Sequence, residues 1–182
     1  LSGAKITVNG NAQDAIGDTM NAGTILVRGS VGDAAGYAMR GGEIYVRDNA
    51  GYRAGIHMKE YKEKKPVIVI GGRCGSFLGE YQAGGLIIVL GLNTDGRPVV
   101  GNFPGMGMHG GKMILGGDTS AIRFPDRVTT RPMSDEDARE IGTFVSRFCE
   151  SFGYDEKDIM NRQYTVVVPD TKNPYRQMYV AN

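Results

Sequence analysis

A repeat occupies residues 4 to about 118, and it restricts the possible folds more than any other feature of the chain. Residues 10–23 read GNAQDAIGDTMNAG and residues 29–42 read GSVGDAAGYAMRGG. A shift of 19 superimposes Asp14 on Asp33, Gly17 on Gly36, Met20 on Met39 and Gly23 on Gly42. A second shift of 19 places Gly51, Gly55 and Met58 on Gly32, Gly36 and Met39. The apolar triplets Ile6–Thr7–Val8, Ile25–Leu26–Val27 and Ile44–Tyr45–Val46 keep the same step. Val67–Ile68–Val69, Ile87–Ile88–Val89 and Met113–Ile114–Leu115 continue the series at spacings of 23, 20 and 26.

Each unit offers a strand too short to bury anything alone, followed by a glycine-rich turn. A period near 19 leaves no room for the crossover helix of a βαβ unit. The economical arrangement stacks equivalent positions as parallel strands about 4.8 Å apart. The expected fold is therefore all-β, a parallel β-helix (solenoid) of about six coils of 19–26 residues. Gly17, Gly23, Gly36, Gly42, Gly55, Gly79, Gly85, Gly107 and Gly111 are assigned to its structural turns.

Alternation within the triplets sends Ile6, Val8, Ile25, Val27, Ile44, Val46, Val67, Val69, Ile87, Val89, Met113 and Leu115 inward. Met20, Met39, Met58 and Met108 form a third ladder at a corner. The outward positions after Thr7 are Leu26, Tyr45, Ile68, Ile88 and Ile114, an apolar stripe that needs a cover and serves as the candidate interface. Residues 134–152 are one candidate cover. Ser134 is placed to cap a helix, with Asp137 at the capping-box position. Ile141, Phe144, Val145, Phe148 and Phe152 follow helical spacing, and Gly153 is placed to end it. Tyr164–Val168 reads as a strand, and the polar tail ending PYRQMYVAN as a loose terminus or a grip on a neighbour. The division expected is a repeat domain over 1–118 and an appendage over 119–182.

Composition excludes several classes. Hydrophobic residues make up 41% of the chain and the net charge is +1, which argues against disorder and against nucleic acid or a membrane as partner. No apolar run approaches the roughly 20 residues of a membrane span. Cys74 and Cys149 are too few for a disulfide framework, and no leader segment is visible, so a cytoplasmic protein is expected. GMGMHG at 105–110 matches G-x-G-x-x-G, but it runs into a strand instead of opening a helix, which favours a turn over a dinucleotide site. His57 and His109 are candidate ligands or bases and Cys74 a candidate nucleophile, with His109 and Cys74 one to two repeats apart, but two His with two Cys fall short of a metal-ligand pattern. Asp14 and Asp33 stack roughly 5 Å apart in the expected fold, which suits a solvated turn and could also hold a cation or a sugar. Lys62–Lys65 reads as a solvated insertion. No catalytic, cofactor or metal residue is assigned.

GDTMNAGTILVRG and GYAMRGGEIYVRDNAGYRAG, followed by GEYQAGGLIIVLG and GNFPGMGMHGG, resemble the GXGXG domain at the C-terminal end of the glutamate synthase large subunit. The resemblance covers residues 1 to about 118. Its most specific elements are Gly79–Glu80–Tyr81 with Gly84–Gly85, and Gly101–Asn102–Phe103 with Gly107–Met108 and Gly110–Gly111. It implies a right-handed β-helix without an active site of its own. It further implies a scaffold subunit of a split glutamate synthase, an oxidoreductase of nitrogen metabolism. FMN and an iron–sulfur cluster are then expected in a partner flavin subunit, with a glutaminase subunit as second partner and a homo-oligomer as a further arrangement. Formylmethanofuran dehydrogenase and N-methylglutamate synthase subunits resemble the same repeat. A carbohydrate-active β-helix is the distant alternative, and would need Asp14, Asp33 and Glu43 gathered in an open groove.

Overall fold

Each repeat contributes one strand, and the strands stack in sequence order. In a computed structural model, which describes residues 2–170, the elements are β1 (Ser2–Val8), β2 (Ala22–Val27), β3 (Glu43–Val46), β4 (Val67–Ile70), β5 (Ala83–Val89), β6 (Gly110–Gly116), β7 (Val128–Pro132), α1 (Asp135–Phe152), α2 (Glu156–Met160) and β8 (Tyr164–Pro169). The polar tail ending PYRQMYVAN lies outside the described residues. The strands form one eight-stranded sheet of order β1-β2-β3-β4-β5-β6-β8-β7. β1 to β6 pair in parallel, and β8 joins β6 and β7 antiparallel.

This corrects the expected all-β, right-handed parallel β-helix with an appended helix. The fold is α/β, an open and mostly parallel sheet with two helices. A continuous ladder runs through only one segment of each repeat. Elsewhere the repeats touch through single-residue bridges along Ala12, Val31, Ala50, Cys74 and Val100 and through hydrogen bonds between stacked turns, which do not amount to a second sheet. The segment after residue 118 then completes the sheet, because β8 supplies the strand that pairs with β6.

Both faces of the sheet are buried over β2 to β6, as parallel sheets require, while the edge strands β1 and β7 are largely exposed. The turn segments of the same repeats cover one face, where Met20, Met39, Met58 and Met108 pack against the ladder Ile25, Ile44, Ile68, Ile87 and Met113. The opposite face carries Leu26, Tyr45, Val67, Val69, Ile88 and Ile114, packed under Ile141, Val145 and Phe148 of α1. The apolar stripe therefore belongs to the core and is covered within the chain.

Ile68 is the exception to the expected stripe. It pairs with Ile44 and Ile87 and lies on the inner face, while Val67 and Val69, expected inside, take the outer one. The sequence Val67–Ile68–Val69–Ile70 is apolar in both parities, so alternation could not fix its register. Ile6, expected inside, is 42% exposed because β1 is the free edge of the stack.

Helix α1 is bounded as its sequence dictates. The Ser134 hydroxyl accepts from the Asp137 amide, the Asp137 carboxylate accepts from the Ser134 amide, and Gly153 adopts φ 78° at the C-terminal end. Asp137 is also buried and holds the helix to the sheet, accepting from Lys112 Nζ at 2.7 Å and Arg131 Nη2 at 3.0 Å. Arg131, then Lys112 and Ser134, hold its carboxyl well below the usual range, against the opposing effect of burial. The folded-state pKa lies beneath the ordinary aspartate value of 3.8, so this stabilisation is complete above that pH and is lost as pH falls through the folded value. Asp137→Asn is expected to lower urea-unfolding stability at pH 7 by about 2–3 kcal/mol, since Arg131 remains partly solvated. The difference from the parent should shrink at pH 3; a constant difference would contradict the charge-based account.

Candidate functional site

The turn segments stack as regularly as the strands. The amide of Ala15 donates to Asp33 O at 2.7 Å, Ala34 to Tyr52 O at 2.7 Å, Arg53 to Ser76 O at 2.9 Å and Phe77 to Asn102 O at 2.8 Å. Ala15, Ala34, Arg53, Phe77 and Phe103 thus occupy equivalent positions, each with φ between 55° and 62°. Thr19, Ala38, His57 and Tyr81 form a second such column, with φ between 49° and 55°. Left-handed backbone at a bulky residue costs about 1–3 kcal/mol, so surrounding structure must hold it in place. Here the stack of backbone hydrogen bonds does so.

These columns bring aromatic rings together on one surface. Phe77 and Phe103 stack with centroids 5.4 Å apart, and the Arg53 guanidinium lies 5.0 Å from the Phe77 centroid. Arg53 is held there by Glu80, at 3.0 Å. His57 stacks on Tyr81 at 5.2 Å, and Tyr37 meets His57 edge-on at 6.0 Å. The Tyr81 ring also lies over Gly107, where an added Cβ would come within 2.5 Å of ring carbons, so a glycine is required there. Tyr37, Tyr52, Tyr81 and Phe103 are all exposed, although each is large and largely apolar.

Two shallow hollows adjoin this surface. One, of about 370 Å³, is lined by Tyr52, Arg73, Ser76 and Arg97 among others; the second, of about 290 Å³, shares Arg73 and adds Asn102 and Arg123. No carboxylate lines either hollow. Arg73 donates to Pro98 O at 2.6 Å and, like Arg123, forms no ion pair among the described residues. The sequence reading missed this surface. The signal was present in the register that aligns Ala15, Ala34, Arg53, Phe77 and Phe103, where small residues give way to aromatic ones.

The residues singled out from the sequence are engaged elsewhere. Asp14 Oδ1 accepts from the Asp33 amide and Asp33 Oδ1 from the Tyr52 amide, both at 2.8 Å, so each carboxylate ties one repeat to the next. Asn11, Asn49 and Ser76 make equivalent bonds. Glu43 instead pairs with Arg147 of α1 and accepts from the Tyr45 hydroxyl at 2.7 Å. Cys74 is buried in the bridge between Ala50 and Val100, and burial raises its thiol pKa, removing the thiolate a nucleophile needs. Cys149 is pushed up to about 11, chiefly by burial in α1.

His57 belongs to the aromatic surface, while His109 Nδ1 lies 3.1 Å from Gly107 O. GMGMHG leads into β6 and not into a helix. Lys65 ends an exposed insertion and pairs with Glu140 of α1. Among the described residues, no three His, Cys, Asp or Glu side chains are grouped to hold a metal ion, and no helix is long and apolar enough to cross a membrane. The nine glycines assigned to turns all have positive φ, although Gly23, Gly85 and Gly111 lie within β2, β5 and β6 and not in turns.

Comparison with known proteins adds two findings. A family model described as GXGXG motif matches residues 1–171. An uncharacterized protein of Methanocaldococcus jannaschii is 43% identical over 188 residues, which span 100% of this chain and 72% of that protein.

Proposed function

Because the chain belongs to the GXGXG motif family, we propose that it is a non-catalytic scaffold subunit of a multi-subunit glutamate synthase, the enzyme that makes glutamate from glutamine and 2-oxoglutarate. In this reading the glutaminase and the FMN- and iron–sulfur-containing synthase are separate subunits of a cytoplasmic complex. This chain holds them in register so that ammonia reaches the second site before it escapes, a positional contribution to rate. Family membership across 1–171 is the observation that carries the proposal. The use of Asp14, Asp33, Asn49 and Ser76 as ties between repeats supports it, since these polar side chains are committed to holding the stack together. Glu43, engaged by α1, does not join Asp14 and Asp33 in the constellation a carbohydrate-active protein would need.

Affinity purification of the tagged chain from its native cells, with mass spectrometry and a flavin absorbance scan, tests the proposal. A flavin- and iron–sulfur-containing synthase and a glutaminase are expected to co-purify. Omitting this chain from the reconstituted complex should release ammonia to solution and lower the glutamate formed per glutamine hydrolysed. Recovery with molybdenum- or tungsten-containing subunits, or an unchanged product ratio on omission, would contradict it.

A further inference from the structure

We propose that the surface built from Phe77, Phe103, Tyr52, Tyr81 and Arg73 is the docking face for a protein partner, one that presents carboxylates around an apolar patch. The proposal rests on the scaffold reading for the existence of a partner subunit and adds where, and by what chemistry, that partner binds.

The backbone does not demand these side chains. Ala15 and Ala34 occupy the Phe77 and Phe103 position in earlier repeats, and Ala38 occupies the Tyr81 position, with closely similar φ. Exchanging alanine for an exposed aromatic ring places apolar area in water without adding to the core. Aromatic and arginine side chains concentrated in this way are the usual anchors of protein interfaces.

The ring geometry selects the class of partner. Phe77 is covered by Phe103 on one side and by Arg53 on the other. Tyr81 is likewise covered by His57 and by the backbone at Gly107. Phe77 and Tyr81, covered in this way, present their edges outward, while Phe103 at the end of its column and Tyr52 add exposed apolar area beside them. Nucleic-acid bases stack on open ring faces, as do the apolar faces of sugars, whereas protein side chains pack readily against ring edges.

Charge then selects the partner surface. Arg73 borders the hollow beside Tyr52, with Arg97, paired to Asp95, at its rim, and Arg123 extends the positive border, with no carboxylate in either lining. Arg73 and Arg123 have no ion-pair partner among the described residues. Planar guanidiniums of this kind suit bidentate contacts to Asp and Glu.

The test places a photo-cross-linking p-benzoylphenylalanine at Phe103 of the full chain in its native cells, with exposed Arg28 of the β2–β3 turn as a comparison position. Attachment to one defined peptide of a second protein, containing several Asp or Glu residues, is expected. The yield should fall at least about tenfold when Arg73→Glu and Arg123→Glu are added. With the cross-linked protein purified, Phe103→Ala should weaken binding about 30-fold while leaving the melting temperature near that of the parent.

Cross-links to nucleic acid, to glycan or only to a second copy of the chain would overturn the proposal. So would a yield unaffected by charge reversal, or an absence of cross-linking at Phe103. If the acidic partner is neither a flavin synthase subunit nor a glutaminase, the scaffold assignment fails while the docking face stands. If those subunits co-purify but cross-link elsewhere, the docking face fails while the assignment stands.

Discussion

Ile114→Asp is expected to prevent folding, whereas Ile6→Asp should be nearly silent. Ile114 lies at the centre of the sheet face beneath α1, fully buried. Removing its side chain alone costs about 2–5 kcal/mol, and burying a carboxyl without a partner adds about 1–3 kcal/mol more. Together these rival the roughly 5–15 kcal/mol total stability of a typical domain. Ile6 belongs to the neighbouring series of repeat positions, the one that ends at Met113, but lies on edge strand β1 and is 42% exposed. Circular dichroism and size exclusion of both variants decide the point. A folded, monodisperse Ile114→Asp protein would mean that α1 does not seal this face.

A comparably large effect is expected at Gly111, for a different reason. Its φ is 77°, and an added Cβ would lie 2.7 Å from Gly85 O and 2.8 Å from the Gly84 carbonyl carbon, both backbone atoms of the preceding repeat. Backbone in a hydrogen-bonded stack cannot yield as a side-chain end can. Gly111→Ala should therefore combine left-handed strain with overpacking and cost about 4 kcal/mol. In a chain of this size that lowers the melting temperature by about 10–15 °C. Gly117 is the control, with φ 89° and no atom within 4 Å of an added Cβ. Gly117→Ala carries strain alone and should cost about 1–2 kcal/mol. Equal losses at the two positions, measured by thermal unfolding, would show that repeat-to-repeat packing contributes nothing at Gly111.

The contrast between these glycines also shows where the sequence was readable. Periodicity located all six parallel strands, because equivalent residues recur wherever one repeat stacks on the next. It also located α1 with its caps, since Ser134, Asp137 and Gly153 act locally. Register was legible wherever polar and apolar residues alternate, and it slipped by one residue at Val67–Ile70, where both faces are apolar. The glycines were visible as a pattern, but only the packing separates Gly111 of β6, pressed against backbone, from Gly117 in open space. The aromatic surface went unrecognised because Tyr52, Phe77, Tyr81 and Phe103 lie in turns, outside the strand triplets whose alternation marks the core, and only the stacking of the turns brings them together.

The sequence by itself determined the stack: its parallel pairing, the methionine and isoleucine ladders, and the helix that begins at Ser134. These depend on short-range chemistry and on repetition, both written directly in residue order. Tertiary structure alone decided whether the repeats would close into a helix of sheets or remain one open sheet. Closure requires several continuous ladders, and only one forms, the other contacts being single bridges at Ala12, Val31, Ala50, Cys74 and Val100 and hydrogen bonds between stacked turns. Tertiary structure also decided the fate of the apolar stripe. Burial by α1 and the antiparallel entry of β8 beside β6 are long-range contacts, whose free energy depends on surfaces meeting in space rather than on any spacing along the chain.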